Sequence, residues 1–343
     1  MAFYDGLFNA FGLREWCDAS AGSAKMTMAS LLAKTNPDAA DEGPLFPFPS
    51  MDELYKACPS FPQSREFTAG VEEAFLNAKD VLKTVLDPLT QPLSWLLEGA
   101  LFIFLAAPWW IVVPLILLFV WYVCRSVAVT TFVTVSFAFL AFIDHLDAAL
   151  QTLAIIAVCT GICIILGVPV GIAMAKSNRF QRSLLPLLDL LQTLPTFVYL
   201  IPLIFLFSVT EPKLYGIAII VYAIVPVIRL TDLGIRLVDQ DVVEAANAFG
   251  MSSRQKLFGI ELPLALPNIM AGVNQTIMMS LAMVVIASLV SAPGLGVLVL
   301  RGIRNLELGV GLIAGLGIVL LAVILDRVSK AAIARVSSDQ TFK

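Results

Sequence analysis

Long apolar runs recur along most of this chain and restrict what it can fold into. Seven of them approach membrane length, at 108–124, 126–143, 148–175, 186–209, 213–230, 264–290 and 306–325. A helix of about 20 apolar residues crosses a bilayer, and helices satisfy the backbone there without water. Hydrophobic residues make up 59% of the 343 residues and charged residues only 14%. The chain is therefore predicted to be an all-α, polytopic membrane protein with about seven spans, and a soluble catalytic domain is excluded.

The positions of lysine and arginine predict which loops face the cytoplasm, because short cytoplasmic loops are enriched in both. Basic residues follow the third predicted span, the fifth and the last. They are Lys176, Arg179 and Arg182, then Arg236, Arg254 and Lys256, and finally Arg327, Lys330 and Arg335. These three regions fall on one side by parity, so that side is predicted to be cytoplasmic. Arg301 and Arg304 run against the pattern, because they fall in the last external loop.

Residues 1–92 differ in composition from the rest of the chain. They hold 13 acidic and seven basic residues, and proline is frequent within 41–62. The parity of the predicted spans places this acidic tail outside the cytoplasm, and its pattern predicts an irregular linker at 41–62 and a helix at 65–86 that Pro88 and Pro92 end. Residues 93–107 are predicted to form a helix lying in the membrane interface, with the first half of a kinked span as the alternative. The membrane domain is then 108–330, and 331–343 is a cytoplasmic tail.

The longest polar interruption in the apolar half is at 239–267, and its pattern is helical. Val242, Val243, Ala246 and Phe249 recur at helical spacing, and Gly250 follows at the position of a helix C-terminal stop. A capping box, Ser and Gln three residues apart at 252 and 255, then begins a second helix. The sequence therefore predicts a helix, a sharp turn and a helix between two spans.

The spacing within residues 239–263 resembles the EAA loop of ABC importer permeases. The matching positions are Glu244, Ala245, Ala246, Gly250, Ile260, Leu262 and Pro263. In that family the loop is the cytoplasmic coupling helix, which docks on an ATPase subunit. The resemblance assigns ATPase coupling to Glu244, Ala245, Ala246, Phe249, Gly250, Leu262 and Pro263. In this interpretation the small side chains of Ala245 and Ala246 allow a partner to approach closely, and Gly250 allows the turn.

Residues 184–207, 265–290 and 294–303 resemble permeases of the glycine betaine/proline type of importer. This resemblance implies a type I importer permease fold and a place in the bacterial inner membrane. It also implies a homodimer, two cytoplasmic ATPase subunits and a periplasmic substrate-binding protein, which makes the tail periplasmic. ATP and Mg would be held by the ATPase, and this chain would bind no cofactor. The implied solutes are glycine betaine and proline betaine, with choline, carnitine and trimethylamine N-oxide as alternatives.

Polar side chains inside predicted spans are costly without partners, so each is a candidate for the translocation path. The polar candidates are Gln192, Thr193, Tyr199, Asn274, Gln275 and Thr276. Pro195 is a further candidate, because it is predicted to break the helix of the fourth span, and broken helices are tolerated where they border a cavity or the protein interior. For the polar group at 274–276, hydrogen bonds that only hold the helices together are an equal alternative. Asp189 is interpreted as a partner for an arginine such as Arg182 rather than as a substrate ligand.

Two other classes of function compete with an importer permease. An ion-coupled secondary carrier or channel would need intramembrane carboxylates facing a cavity, and Asp189 is its one plausible candidate. A membrane-embedded enzyme would need a cluster of His, Cys and Asp that the sequence does not suggest. We therefore predict no catalytic residue, no metal site and no nucleic-acid partner. Cys17 and Cys58 are a candidate disulfide if the tail is periplasmic.

Overall fold

The computed structural model describes residue 4, residues 8–13, residue 58 and residues 64–341. The chain divides into two compact units, Met1–Asp80 and Val81–Lys343. In the first unit Phe8 and Cys58 are buried, and Cys58 is disulfide-bonded. Its predicted partner Cys17 and the rest of the predicted linker 41–62 lie outside the described residues. The pairing of Cys17 with Cys58 therefore stays a prediction.

The regular structure of residues 64–341 is helical throughout, as predicted. The helices are α1 (Ser64–Ala106), α2 (Trp109–Cys124), α3 (Val127–Phe142), α4 (Leu146–Lys176), α5 (Asn178–Thr193), α6 (Leu200–Leu206), α7 (Pro212–Arg236), α8 (Gln240–Ala248), α9 (Ser253–Lys256), α10 (Leu262–Ala287), α11 (Leu295–Arg304) and α12 (Leu308–Thr341). Short 3-10 turns occupy Thr196–Tyr199 and Ser288–Val290, and a π-helical segment occupies Leu257–Glu261.

The break predicted at Pro88 and Pro92 is wrong. Helix α1 continues through Pro88 and Pro92, so the predicted helix 65–86 and the predicted interfacial helix are one element. Prolines inside membrane helices are tolerated when nearby groups support the weakened turn. Here the hydroxyl of Thr90 donates to the carbonyl of Leu86 at 2.8 Å, and the side chain of Asp87 is held by Lys213 at 2.7 Å.

The number of long spans also differs from the predicted seven. Five helical stretches in the described residues are long and apolar enough to cross a membrane, Gly70–Ala106, Leu146–Lys176, Pro212–Arg236, Ser253–Val290 and Leu308–Arg335. A sixth is formed if α5 and α6, which meet at an angle of 106°, count as one broken span. Helices α2 and α3 have only 16 residues each, and about 24 Å of helix is less than the hydrocarbon core. Their apolar composition predicts two full spans, but the helices are shorter than the composition suggests.

Helix α7 is central because it packs most extensively against both α4 and α10. Glycines of α4 make the close approach possible. A Cβ on Gly171 would lie 2.6 Å from the Cβ of Thr231, and a Cβ on Gly167 would lie 2.4 Å from Cγ1 of Val227. Small residues at helix contacts let membrane helices approach closely where no aqueous hydrophobic effect drives them together.

Two of the predicted cytoplasmic regions meet at one end of this bundle, which we call the EAA end. There the guanidinium of Arg236 donates to Asn178 Oδ1 at 2.8 Å and to the carbonyl of Met174 at 2.7 Å. Lys176 forms an ion pair with Glu261, at the start of α10. These contacts bring together the ends of α4 and α7 and the beginnings of α5 and α10. The first two basic regions therefore lie on the same side, as the parity of the spans predicts.

Candidate functional site

The helix–turn–helix predicted at 239–263 is present. Asp239 caps α8, because its side chain accepts a hydrogen bond from the backbone N–H of Asp241 at 3.0 Å. Gly250 has φ +72°, the left-handed conformation that favours glycine. Ser252 and Gln255 form the predicted capping box at the start of α9. The local part of the prediction is therefore confirmed.

The two alanines of the EAA sequence do not form one docking face. Ala246 is buried against the chain itself, whereas Ala245 is exposed. Successive residues of a helix point about 100° apart, so a helix lying on a bundle separates them. The expectation that both alanines face a partner is corrected to Ala245 alone.

The surface that α8 presents outward contains Glu244, Ala245 and Phe249. All three are exposed, and the side chain of Phe249 is 88% exposed. Below the turn, the ammonium of Lys256 donates to Asn247 Oδ1 at 2.9 Å, which ties α9 to α8. The loop is thus fixed to its own chain while an aromatic ring projects from it.

A π-helical segment follows the loop and was not predicted. It covers Leu257–Glu261, and α10 begins at the half-buried Leu262 with Pro263 in its first turn. Glu261 is buried and is held by Lys176 from the end of α4. Such wide turns occur frequently at functional sites. Sequence reasoning missed Glu261 because no spacing rule relates it to Lys176.

A cavity of about 280 Å³ lies under α8. Its lining residues are Ala175, Lys176, Ile235, Arg236, Gln240, Val243 and Glu261. The cationic groups in this lining already have partners within the chain. Arg236 pairs with Asp232 at 2.8 Å and Lys176 with Glu261, so no uncompensated positive charge is left for an anion.

The three polar residues at 274–276 lie on different surfaces of α10. Asn274 donates to Asp326 Oδ1 at 3.4 Å and accepts from the hydroxyl of Ser329 at 2.5 Å, so it joins α10 to α12. Gln275 is exposed. Thr276 is buried, and its hydroxyl has no hydrogen-bond partner within the described part of the chain. For Asn274 the structure supports the alternative of a helix–helix bond.

The predicted break in the fourth span is also present. Pro195 lies at the bend, between α5 and the 3-10 turn, and the hydroxyl of Tyr199 donates to the carbonyl of Leu191 across it. The hydroxyl of Thr193 donates to Leu190 at 3.2 Å, and Gln192 is half-buried. Tyr199 is buried, and its hydrogen bond joins the two sides of the bend. A path role for these residues stays a prediction.

Asp189 has a different partner from the one predicted. Its carboxylate is paired with Arg229 of α7, not with Arg182. The sequence carried a signal that was overlooked, because Arg229 interrupts an apolar helix and such a charge requires a partner. In the described residues no group of three or more His, Cys, Asp and Glu side chains is placed to hold a metal ion.

The helical bundle and its protruding EAA loop define the class of protein as a permease of ABC importers. A family model described as "Binding-protein-dependent transport system inner membrane component" matches residues 167–338. The chain belongs to this family, and it is a multi-pass transport subunit of the inner membrane.

The relatives of this chain include permeases named for methylated amines. The glycine betaine/proline betaine transport system permease protein ProW of Escherichia coli (strain K12) is 37% identical over 92% of this chain and 88% of its own length. The glycine betaine/carnitine transport permease protein GbuB of Listeria monocytogenes is 36% identical over 76% of this chain and 89% of its own length. The resemblance to the glycine betaine type of importer is therefore confirmed.

The fold is similar to that of a solved importer. An inward-facing crystal form of the MetNI methionine ABC transporter matches 56% of this chain and 95% of its own chain, with a TM-score of 0.51 and 18% identity. This likeness concerns the fold alone. It supports the type I importer permease architecture predicted for the membrane domain.

Proposed function

We propose that this chain is the permease subunit of an ATP-driven importer for glycine betaine, proline betaine or a related methylated amine. The names of the relatives support the solute class, since they include systems for glycine betaine, carnitine and trimethylamine N-oxide. The observation that carries the proposal is the exposed ring of Phe249 on a capped helix fixed at the EAA end. Aromatic side chains are enriched at protein–protein interfaces, so this exposed ring fits a docking contact.

In the proposed mechanism, two copies of the chain form one pathway between them. Each copy presents α8, with the turn at Gly250, to one of two cytoplasmic ATPase subunits, which hold ATP and Mg. Closure of the ATPases on ATP draws the two α8 helices together and opens the spans outward, where a periplasmic binding protein delivers the solute. Hydrolysis returns the pathway to its inward-open state.

Transmission of this movement into the spans is supported by the contacts behind α8. Val243 of α8 packs against a cluster that includes Ile235 of α7 and Ala265 of α10, and Lys176 of α4 holds Glu261 of the π-helical segment. A displacement of α8 is therefore passed to three long helices at once. Glu244, Ala245 and Phe249 form the proposed docking surface, whereas Ala246, Gly250, Leu262 and Pro263 fix its position.

The test is purification of the tagged full-length chain from its native membrane, followed by identification of the proteins that accompany it. We expect an ATPase subunit in about equal amount. The complex is then placed in liposomes, and uptake of labelled glycine betaine is measured with the binding protein and internal ATP. Uptake that proceeds equally well without ATP would overturn the proposal in favour of a secondary carrier.

A further inference from the structure

Helix α5 runs antiparallel along one face of α7, and polar side chains of the two segments contact each other along this face. From the EAA end inward, the paired residues are Asn178 with Arg236, Gln181 with Asp232, Asp189 with Arg229, and Tyr199 with Tyr222. The two tyrosine rings are 6.4 Å apart between centroids. This face therefore carries charge well inside a span.

The two arginines of this face, Arg229 and Arg236, differ in the number of hydrogen bonds that they donate. They are seven residues apart, so they lie on the same side of α7. Arg236 donates three hydrogen bonds, and its partner Asp232 is only 8% exposed at the side chain. Arg229 donates one, to an Asp189 side chain that is 61% exposed, and its Nε has no hydrogen-bond partner within the described residues. A guanidinium has five donor hydrogens, so the Arg229–Asp189 pair is far from saturated.

The Arg229–Asp189 pair is exposed although it lies well away from the EAA end. Arg229 lies seven residues before the end of α7 and Asp189 eleven residues after the start of α5. These separations place the two groups about 10 and 16 Å along their helices from the EAA end. An ionised carboxylate at that depth is costly when it faces lipid, and such groups face water-filled cavities or other protein. The exposed side of the pair is therefore not a lipid surface.

We propose that Arg229 and Asp189 form a binding station for a small zwitterion on the translocation path. This inference rests on the proposed import of methylated amines and assigns the contacts within the permease. A solute carboxylate accepts hydrogen bonds from the guanidinium of Arg229, which suits planar, two-point recognition. The quaternary ammonium offers no hydrogen-bond donor, and the charge of Asp189 attracts it at contact distance.

The proposed station explains why the pair is left unsaturated. A solute with both charges replaces the internal ion pair, so that neither protein charge is left unpaired as the solute passes. A solute with only a cationic end leaves Arg229 without a partner in the membrane, which is unfavourable. The station therefore favours glycine betaine over choline, independently of any choice made by the binding protein.

The first experiment asks whether the pair faces water. Asp189→Cys is prepared beside Ile165→Cys, which is a matched control because Ile165 is 70% exposed on the apolar helix α4. The parent protein serves as the blank and measures any reaction of its own cysteines, of which Cys124, Cys159 and Cys163 are buried. The purified complex in lipid nanodiscs is treated with a charged thiosulfonate, which reacts with the thiolate that forms in water. We expect the cysteine at 189 to react at least ten times faster than the cysteine at 165, and equally slow reaction would overturn the proposal.

The second experiment separates a binding station from a clamp between α5 and α7. The double variant Asp189→Asn with Arg229→Gln keeps a neutral hydrogen-bonded pair, so a clamp survives. Arg301→Gln with Glu307→Gln is the control, because it neutralises another ion pair, 3.2 Å long, between α11 and the residue before α12. We expect uptake of glycine betaine to fall at least tenfold in the first double variant and to stay within twofold in the control, with the ATPase bound in both.

The outcomes distinguish this inference from the proposed function. If the parent protein imports glycine betaine with ATP and the neutral pair does so equally well, only the binding station is wrong. If the parent shows no ATP-driven import, the proposed function itself fails. Loss of uptake accompanied by loss of the ATPase in the neutral pair would mean that the pair is structural, and would also overturn the station.

Discussion

The EAA loop and the bent pair α5–α6 are the two regions with proposed roles in transport, and they are built differently. The loop depends on local rules, namely the cap at Asp239, the positive φ of Gly250 and the capping box at Ser252. The bent pair depends on partners far away in the chain, because Asp189 meets Arg229 and Tyr199 meets Tyr222. The first region can be recognised from spacing, whereas the second requires the tertiary structure.

This difference also separates two kinds of functional surface. The loop offers an exposed ring on a backbone whose shape is fixed locally, which suits docking by a rigid partner. The bent pair offers charges whose position depends on the packing of α5 on α7, and that packing changes if the spans move. Substitutions at the loop are therefore expected to affect assembly, and substitutions within the bundle are expected to affect stability or transport.

The largest effect is expected at the turn. Gly250→Val places a branched side chain at φ +72°, and although the space is open, the strain of about 1–3 kcal/mol redirects α8. We expect insertion into the membrane to be normal, while the bound ATPase and the uptake of glycine betaine fall at least tenfold. Co-purification and uptake measure this.

Two controls accompany the substitution at Gly250. Gly309→Val also enters open space but without a positive φ, and uptake should be unchanged. Gly250→Asn should retain most activity, because asparagine tolerates the left-handed conformation. Normal uptake by Gly250→Val would be strong evidence against the assigned role of the loop.

The next largest effect is expected at the projecting ring. Phe249→Ser removes an aromatic contact of the proposed docking surface, and truncation of such a contact costs about 2 kcal/mol, or roughly 30-fold in affinity. Binding of the purified ATPase to the permease in nanodiscs is the measurement. Leu306→Ser is the matched control, because Leu306 is 89% exposed in a different loop. Equal weakening by both substitutions would show that the ring has no special role.

The sequence predicted the parts of this protein that local chemistry determines. The loop at 239–263, the helix stop at Gly250 and the bend at Pro195 were all found from spacing and residue type. Pro88 and Pro92 do not end α1, and one contact that supports this turn, Lys213 with Asp87, comes from a distant part of the sequence. The spans at α2 and α3 were counted from composition, although their helices are too short.

Partner choice between helices could not be predicted for a physical reason. A carboxylate within a span needs a cation, but many cations lie at similar sequence distances, and helix packing decides which one is reached. Asp189 was assigned to Arg182 because the two share a helix, whereas the structure pairs it with Arg229 across a helix interface. The same reasoning applies to Glu261 and Lys176, which are 85 residues apart.

A moderate effect is expected where the loop is tied to the bundle. Lys176→Met leaves the buried carboxylate of Glu261 without its partner, at a cost of about 1–3 kcal/mol because Lys176 itself is half-exposed. The apparent Tm of the detergent-solubilised protein should fall. Adding Glu261→Gln should restore much of the loss, since it removes the unpaired charge. A failure of the second substitution to restore stability would mean that the pair is not what holds the π-helical segment.

The smallest effect is expected within α10. Asn274→Ala removes the hydrogen bonds to Asp326 and Ser329, and interhelical bonds of this kind contribute about 1 kcal/mol. The apparent Tm should fall slightly and uptake should stay near normal. Gln275→Ala, at the exposed neighbouring position, should leave the Tm unchanged. If only Gln275→Ala loses uptake, that face of α10 lies on the translocation path. If only Asn274→Ala loses uptake, the contact of Asn274 with α12 participates in the conformational change.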